Sequence, residues 1–141
     1  MSILEIFARH GEKKFREAET EALRQMPTEE QKIIITGGGV VLRKENVEIL
    51  RSYAVIVWLD GDDETLFARA SRKQNRPLLQ AKNPRKAFSQ ILGARRPLYA
   101  NLADIRIDTS VLTDEEVAVA ILVKLGRVNS KPELATPAKA S

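Results

Sequence analysis

Apolar residues follow two patterns that alternate along the chain. Short runs with the character of strands occupy residues 32–36, 54–60 and 103–108, and each contains the β-branched residues that favour strands. Around these runs, apolar residues recur at the three- and four-residue spacing of amphipathic helices. Strands that alternate with helices predict an α/β fold, with a parallel sheet and right-handed crossovers.

Capping residues and helix breakers mark the expected ends of the helices. A capping box of Ser2 and Glu5 predicts a short first helix, which Gly11 interrupts. Asp62 or Asp63 is expected to cap the helix that follows the second strand and runs to about residue 72. The other predicted helices cover residues 12–26, 43–53, 85–99, where Pro97 perturbs the end, and 113–126, which opens with a Thr113–Glu116 capping box and stops at Gly126.

Three consecutive glycines, Gly37, Gly38 and Gly39, follow the first predicted strand. In open α/β sheets, ligands bind at the carboxyl ends of strands. Glycine leaves the main chain bare at that place, so a ligand can approach the backbone closely. A flexible turn explains the triplet equally well when the triplet is considered alone.

Composition narrows the class of protein. The 141 residues suffice for one domain with a real core. The absence of cysteine excludes disulfides and thiolate metal sites, and one histidine cannot form a histidine cluster. No apolar run approaches the ~20 residues of a membrane span and no signal-peptide pattern is seen, so we expect a cytoplasmic protein. The net charge of +4 suits anionic ligands, whereas the scarcity of aromatic residues argues against nucleic acid.

Several charged residues stand at positions of interest, although each has a simpler explanation. Arg16 and Glu19 share one helical face, where an exposed ion pair would contribute only about 0.3 kcal/mol. The polar stretch 73–84 reads as an exposed, mobile loop; Arg69 lies before its start, Arg76 lies within it, and Arg95 precedes Pro97 in the next predicted helix. For any one of these arginines, a basic solvated surface is the simpler interpretation.

Seven short motifs stand out along residues 2–125. They are Ser2-Ile3-x-Glu5-Ile6-Phe7, Gly11-Glu12-x-x-Phe15-Arg16-x-x-Glu19, Thr36-Gly37-Gly38-Gly39, Leu59-Asp60, Asn75-Arg76-Pro77-Leu78-Leu79, Arg95-x-Pro97-Leu98-Tyr99 and Asp108-Thr109. Any one of the motifs is a weak signal. Taken together, in their order and spacing, they resemble the shikimate kinase family over roughly residues 2–125.

The resemblance implies an activity and a set of functional residues. Members of the family resemble other P-loop kinases and phosphorylate shikimate to shikimate 3-phosphate, using ATP and Mg²⁺, in aromatic amino-acid biosynthesis. They are usually monomeric. By resemblance, Arg76 would be the lid arginine that closes over the transferred phosphoryl group, and Arg69 would pack near the adenine. The substrate would be bound by Arg16, Gly37, Gly38, Gly39 and Arg95, with Glu19 orienting Arg16.

The chain departs from the family at its beginning. The family opens with a strand, a Gly-x-x-x-x-Gly-Lys-Ser/Thr loop and a helix, followed by a second strand, and these 141 residues contain no Gly-Lys-Ser or Gly-Lys-Thr. We expect Met1 to be an internal methionine of a longer protein. The alternatives are a short protein that keeps a shikimate-like binding site without kinase activity, and a related small-molecule kinase such as a gluconate kinase.

The departure also bears on the sheet and on the domain limits. By resemblance, the central P-loop strand would lie between the runs 32–36 and 54–60. We therefore predict the remnant of a three-layer P-loop kinase sheet, with three strands present and flanking helices. Two unpaired strand edges would promote self-association. Residues 1–126 are expected to form this domain, and residues 127–141, rich in Ser, Pro, Ala and Lys, a disordered tail.

Overall fold

Two parallel strands lie at the centre of the described structure. The computed structural model describes residues 3–72 and 82–129. Strand β1, Val57–Asp60, pairs with strand β2, Ile105–Asp108, in a register that sets Leu59 opposite Ile107. The parallel pairing confirms the predicted α/β fold. The helices are α1 Ile3–Arg24, α2 Lys44–Tyr53, α3 Asp63–Ser71, α4 Pro84–Leu102 and α5 Asp114–Asn129, and a 3₁₀ turn covers Gly38–Leu42.

Local hydrogen bonds at the helix ends follow the capping residues. Asp62 caps α3, since its Oδ1 accepts from the Thr65 N–H at 2.7 Å. Thr113 and Glu116 form the predicted box, in which each side chain accepts from the other residue's backbone N–H. Gly11 breaks α1 with a φ of 76°, a left-handed value that favours glycine. These ends were predictable because both partners lie within one turn of each other in sequence.

The core lies where the 3₁₀ turn meets the helices. Its buried members come from α1, the turn, α2 and the end of α4, and they are Leu23, Val40, Val41, Leu50 and Leu102. Strand β2 buries Ile105 and Ile107 on one face, while α5 packs against this strand. The core therefore holds the turn, which begins at the second glycine of the triplet, at a fixed place beside α1 and α4.

The predicted strand over residues 32–36 is absent. The segment is not paired with any described strand, and the side chains of Ile33 and Ile35 are 91% and 92% exposed. Within the described residues, β1 has a partner on only one edge. A strand needs a neighbour to satisfy its backbone groups, so β-branched residues alone do not form one. The described part of the chain thus has two strands instead of the three predicted.

Two helices run past their expected ends. Helix α4 continues through Pro97 to Leu102, with Asn83 as its cap and Pro84 in its first turn, because buried Leu92 and Leu102 hold both sides of the proline in place. Helix α5 continues past Gly126 to Asn129, so residues 127–129, predicted as part of the tail, are helical. The rest of that tail and residues 73–81 of the predicted loop lie outside the described residues. No helix in the described ranges could cross a membrane.

Candidate functional site

Arg16 and Glu19 form a largely buried ion pair. The Arg16 Nη1 donates to Glu19 Oε1 at 3.0 Å, and the two side chains are only 15% and 16% exposed. This burial overturns the simpler interpretation of a solvated surface pair. Because the carboxylate fixes the planar guanidinium, Arg16 is held in one orientation rather than free in solvent.

The third glycine of the triplet lies directly against this guanidinium. A Cβ at Gly39 would overlap the Arg16 Nη atoms, so a side chain fits there only if the guanidinium moves. At Gly37, in contrast, a Cβ would lie 3.9 Å from Glu19 Oε2, which is ordinary van der Waals contact. The glycines are therefore not equivalent, and Gly39 is the one that lets Arg16 approach the main chain.

Helix α4 brings a second arginine to the same backbone. The Arg95 Nη1 lies 3.6 Å from the position that a Cβ of Gly38 would take. One helical turn later, the Tyr99 hydroxyl donates to the Gly38 carbonyl at 2.8 Å. Two guanidinium groups thus stand beside consecutive glycines, Arg16 at Gly39 and Arg95 at Gly38.

Two buried polar residues that the sequence did not single out support this arrangement. Asn46 is fully buried, and its Nδ2 donates to the Val40 carbonyl at 3.0 Å. Thr20 is also fully buried; its hydroxyl donates to the Arg16 carbonyl and accepts from Arg43. Polar residues at apolar positions of an amphipathic helix were the available signal, since Thr20 precedes core residue Leu23 by three.

Neighbouring arginines of α4 face different ways. Arg96 donates to Asp63 Oδ1 at 2.6 Å and to the Gly61 carbonyl at 2.7 Å, so it ties α4 to the start of α3. This hydrogen bond is the main reason that the pKa of the Asp63 carboxyl is lowered, and it raises the pKa of Arg96. Arg95, about 100° away around the helix, is left to face the glycine triplet.

A separate apolar groove contains the next predicted residue, Arg69. Its Nη1 donates to the Thr109 hydroxyl at 2.6 Å and its Nη2 to the Thr109 carbonyl at 2.7 Å, so the guanidinium is fixed at the end of β2. The groove has a volume of about 420 Å³. It is lined by Leu59, Leu66, Arg69, Thr109, Leu112, Asp114, Val117, Ala118 and Ile121. Arg76, the predicted lid arginine, lies outside the described residues.

Comparison with known proteins settles the family. A model of the family described as shikimate kinase matches residues 1–126. The chain belongs to the shikimate kinase family. The shikimate kinase of Thermodesulfovibrio yellowstonii is 42% identical over 130 residues, which are 92% of this chain and 75% of the relative. That of Moorella thermoacetica is 45% identical over 124 residues, which are 88% of this chain and 69% of the relative.

A solved shikimate kinase shares the fold. The structure from Acinetobacter baumannii, determined in complex with shikimate, superposes with a TM-score of 0.84 at 33% identity. The match covers 92% of this chain and 73% of that one. The chain spans a smaller share of some relatives, such as 60% of the Bordetella pertussis shikimate kinase. These matches favour the shikimate kinase interpretation over the gluconate kinase alternative.

Proposed function

We propose that this chain forms the shikimate-binding part of a shikimate kinase. The observation that carries the proposal is the placing of two guanidinium groups, Arg16 and Arg95, beside the bare backbone of Gly38 and Gly39. Shikimate carries a carboxylate, for which the planar fork of arginine is a natural partner. The similar Acinetobacter baumannii enzyme, whose structure contains shikimate, supports this choice of ligand.

Each residue of the site has a separate role in this proposal. Arg16 and Arg95 contribute the positive charge, and Glu19 keeps the Arg16 guanidinium in place through their 3.0 Å contact. Gly37, Gly38 and Gly39 carry no side chains that would keep the substrate away from the main chain, although the Gly38 carbonyl already accepts from the Tyr99 hydroxyl. Because Glu19 is already paired with Arg16, its charge is offset and does not repel the anionic ligand as an isolated carboxylate would.

Shikimate kinases use ATP and Mg²⁺. The residues that the structure describes offer a place for the adenine base of ATP, at the groove that contains Arg69. The apolar groove at Arg69 is large enough for a base, and its volume lies within the range of small-molecule pockets. The fixed guanidinium of Arg69 offers a flat cation against which a purine could stack. When bound, ATP supplies the phosphoryl group. We propose that Arg69 contacts the adenine, and that Arg76 closes over the phosphates as part of a lid.

We expect the 141 residues alone to bind MgATP weakly, because they contain no Gly-Lys-Ser or Gly-Lys-Thr to bind the phosphates. Calorimetric titration of MgATP into the isolated chain measures this, and micromolar affinity would contradict the expectation. Joining the chain to the preceding part of a family member should restore tight MgATP binding if the chain is part of a kinase. A chain that binds shikimate but stays inactive in such a fusion would instead be a binding module.

Arginine substitutions test the proposed shikimate site. Arg16→Ala and Arg95→Ala should each weaken shikimate binding at least about tenfold, since hydrogen bonds to charged groups contribute roughly 1.5–3 kcal/mol. Arg24→Ala is the matched control, because this α1 arginine is half-exposed and pairs with Glu21 and Glu45 on the surface. Titration calorimetry with shikimate measures all three. Equal affinities in the wild type and in both site variants would refute the proposal.

The remaining predictions concern self-association, cellular location and the limits of the domain. We propose that the isolated chain self-associates through the exposed segment 32–36 and the open edge of β1. Location in the cytoplasm, and the division into a domain over residues 1–126 with a disordered tail, remain predictions from the sequence.

A further inference from the structure

The two tyrosines of the chain differ in what their hydroxyl groups do. Tyr99 donates a 2.8 Å hydrogen bond to the Gly38 carbonyl. The Tyr53 hydroxyl is buried but has no hydrogen-bond partner within the described residues, and burial raises its pKa.

Tyr99 lies between the glycine triplet and the part of α4 that carries Arg95. It lies four residues after Arg95, so both side chains project from the same face of α4. Its ring packs on Trp58 of β1, with the ring centroids 5.7 Å apart, which fixes the direction of the hydroxyl. The hydroxyl therefore links the glycine triplet to the helix that carries Arg95. The ring of Tyr99 is held in turn by its contact with Trp58 of the sheet.

We propose that Tyr99 is a positioning residue that fixes Gly38, and hence the spacing between the glycine backbone and Arg95. Gly38 is the first residue of the 3₁₀ turn that buries Val40 and Val41, and the Tyr99 hydroxyl bonds its carbonyl from α4. Without the hydroxyl, this first residue of the turn would lose its link to α4, while Val40 and Val41 stay buried. The inference rests on the proposed shikimate site for its functional consequence, but the anchoring itself can be measured without a ligand.

The test removes one hydroxyl and keeps the ring. Tyr99→Phe should increase hydrogen exchange at residues 38–42 in the ligand-free chain and weaken shikimate binding about three- to tenfold, as expected for one neutral hydrogen bond. Tyr53→Phe is the matched control, because it removes a buried hydroxyl that has no partner, and it should change neither quantity. The thermal midpoint should fall much less in Tyr99→Phe than in Tyr99→Leu, and the emission of Trp58, the single tryptophan, should stay unchanged in Tyr99→Phe.

The outcomes separate this inference from the proposed function. If the wild-type chain does not bind shikimate, the proposed function is wrong, and the exchange at residues 38–42 still decides the anchoring. If hydrogen exchange at residues 38–42 is unchanged in Tyr99→Phe, Tyr99 does not anchor Gly38. If this exchange increases but shikimate affinity is unchanged, Tyr99 anchors Gly38 without positioning the site. A Tyr99→Phe variant that loses as much stability and Trp58 emission as Tyr99→Leu would show that the residue acts only through packing, which also overturns the proposal.

Discussion

An alanine scan of the glycine triplet should give three different results. None of the three glycines has a positive φ, so the backbone itself accepts alanine at each place. The effect of each substitution then depends on what the new Cβ meets. At Gly37 the new Cβ would make only ordinary van der Waals contact. At Gly38 it would lie 2.8 Å from the Tyr99 hydroxyl oxygen, and at Gly39 it would overlap the Arg16 guanidinium.

The nature of the displaced group decides whether stability or binding suffers. At Gly39 the obstacle is the end of a flexible side chain, so Arg16 can move away, but it then loses its buried pair with Glu19. Its contact with the ligand would be lost, and shikimate affinity should fall about 10- to 100-fold, which corresponds to roughly 1.5–3 kcal/mol. At Gly38 the obstacle is a tyrosine packed on Trp58, so Gly38→Ala should lower both affinity and the free energy of unfolding.

Gly37→Ala is the internal control for the series. Its φ of −71° and ψ of 158° suit alanine, and loss of flexibility in the unfolded chain should stabilise the protein by about 0.4–1 kcal/mol. Calorimetry with shikimate and urea denaturation of the three variants measure both quantities. If Gly37→Ala binds as weakly as Gly39→Ala, or if Gly39→Ala binds like the wild type, the steric reasoning is refuted.

Three other predictions concern stability, acid response and association. Leu50→Ala should lower the free energy of unfolding by about 2–5 kcal/mol in urea denaturation, because Leu50 is buried in the core; a loss below about 1 kcal/mol would contradict this. Arg96 lowers the folded-state pKa of Asp63, so this stabilisation is present above the ordinary aspartate pKa and lost as pH falls through the lowered one. In Arg96→Gln, the free energy of unfolding should therefore fall less steeply as the pH is lowered than it does in the wild type. An equally steep fall in both would refute this role of Arg96. Ile33→Lys with Ile35→Lys should reduce self-association in sedimentation velocity, and association equal to the wild type would exclude this segment as the contact.

Part of the site could be predicted from the sequence, and part could not. The motif spacing indicated Arg16, Glu19, the glycines and Arg95, and the structure brings these residues together. Residue type alone could not show that Arg95 faces the glycines while Arg96 faces Asp63, because the two are consecutive arginines of one helix; only the motif spacing pointed to Arg95. Asn46 was missed for a similar reason: its importance comes from the distant carbonyl that it contacts.

The amino-acid sequence by itself determined the features that depend on near neighbours. Helix caps such as Asp62 and the break at Gly11 follow from groups within one turn of each other. Tertiary structure decided everything that requires a partner far along the chain. The segment 32–36 has the composition of a strand but no neighbouring strand among the described residues, whereas β1 forms because β2 lies beside it. Conformational preference is local, but burial and strand pairing are properties of two surfaces, and only the fold shows which surfaces meet.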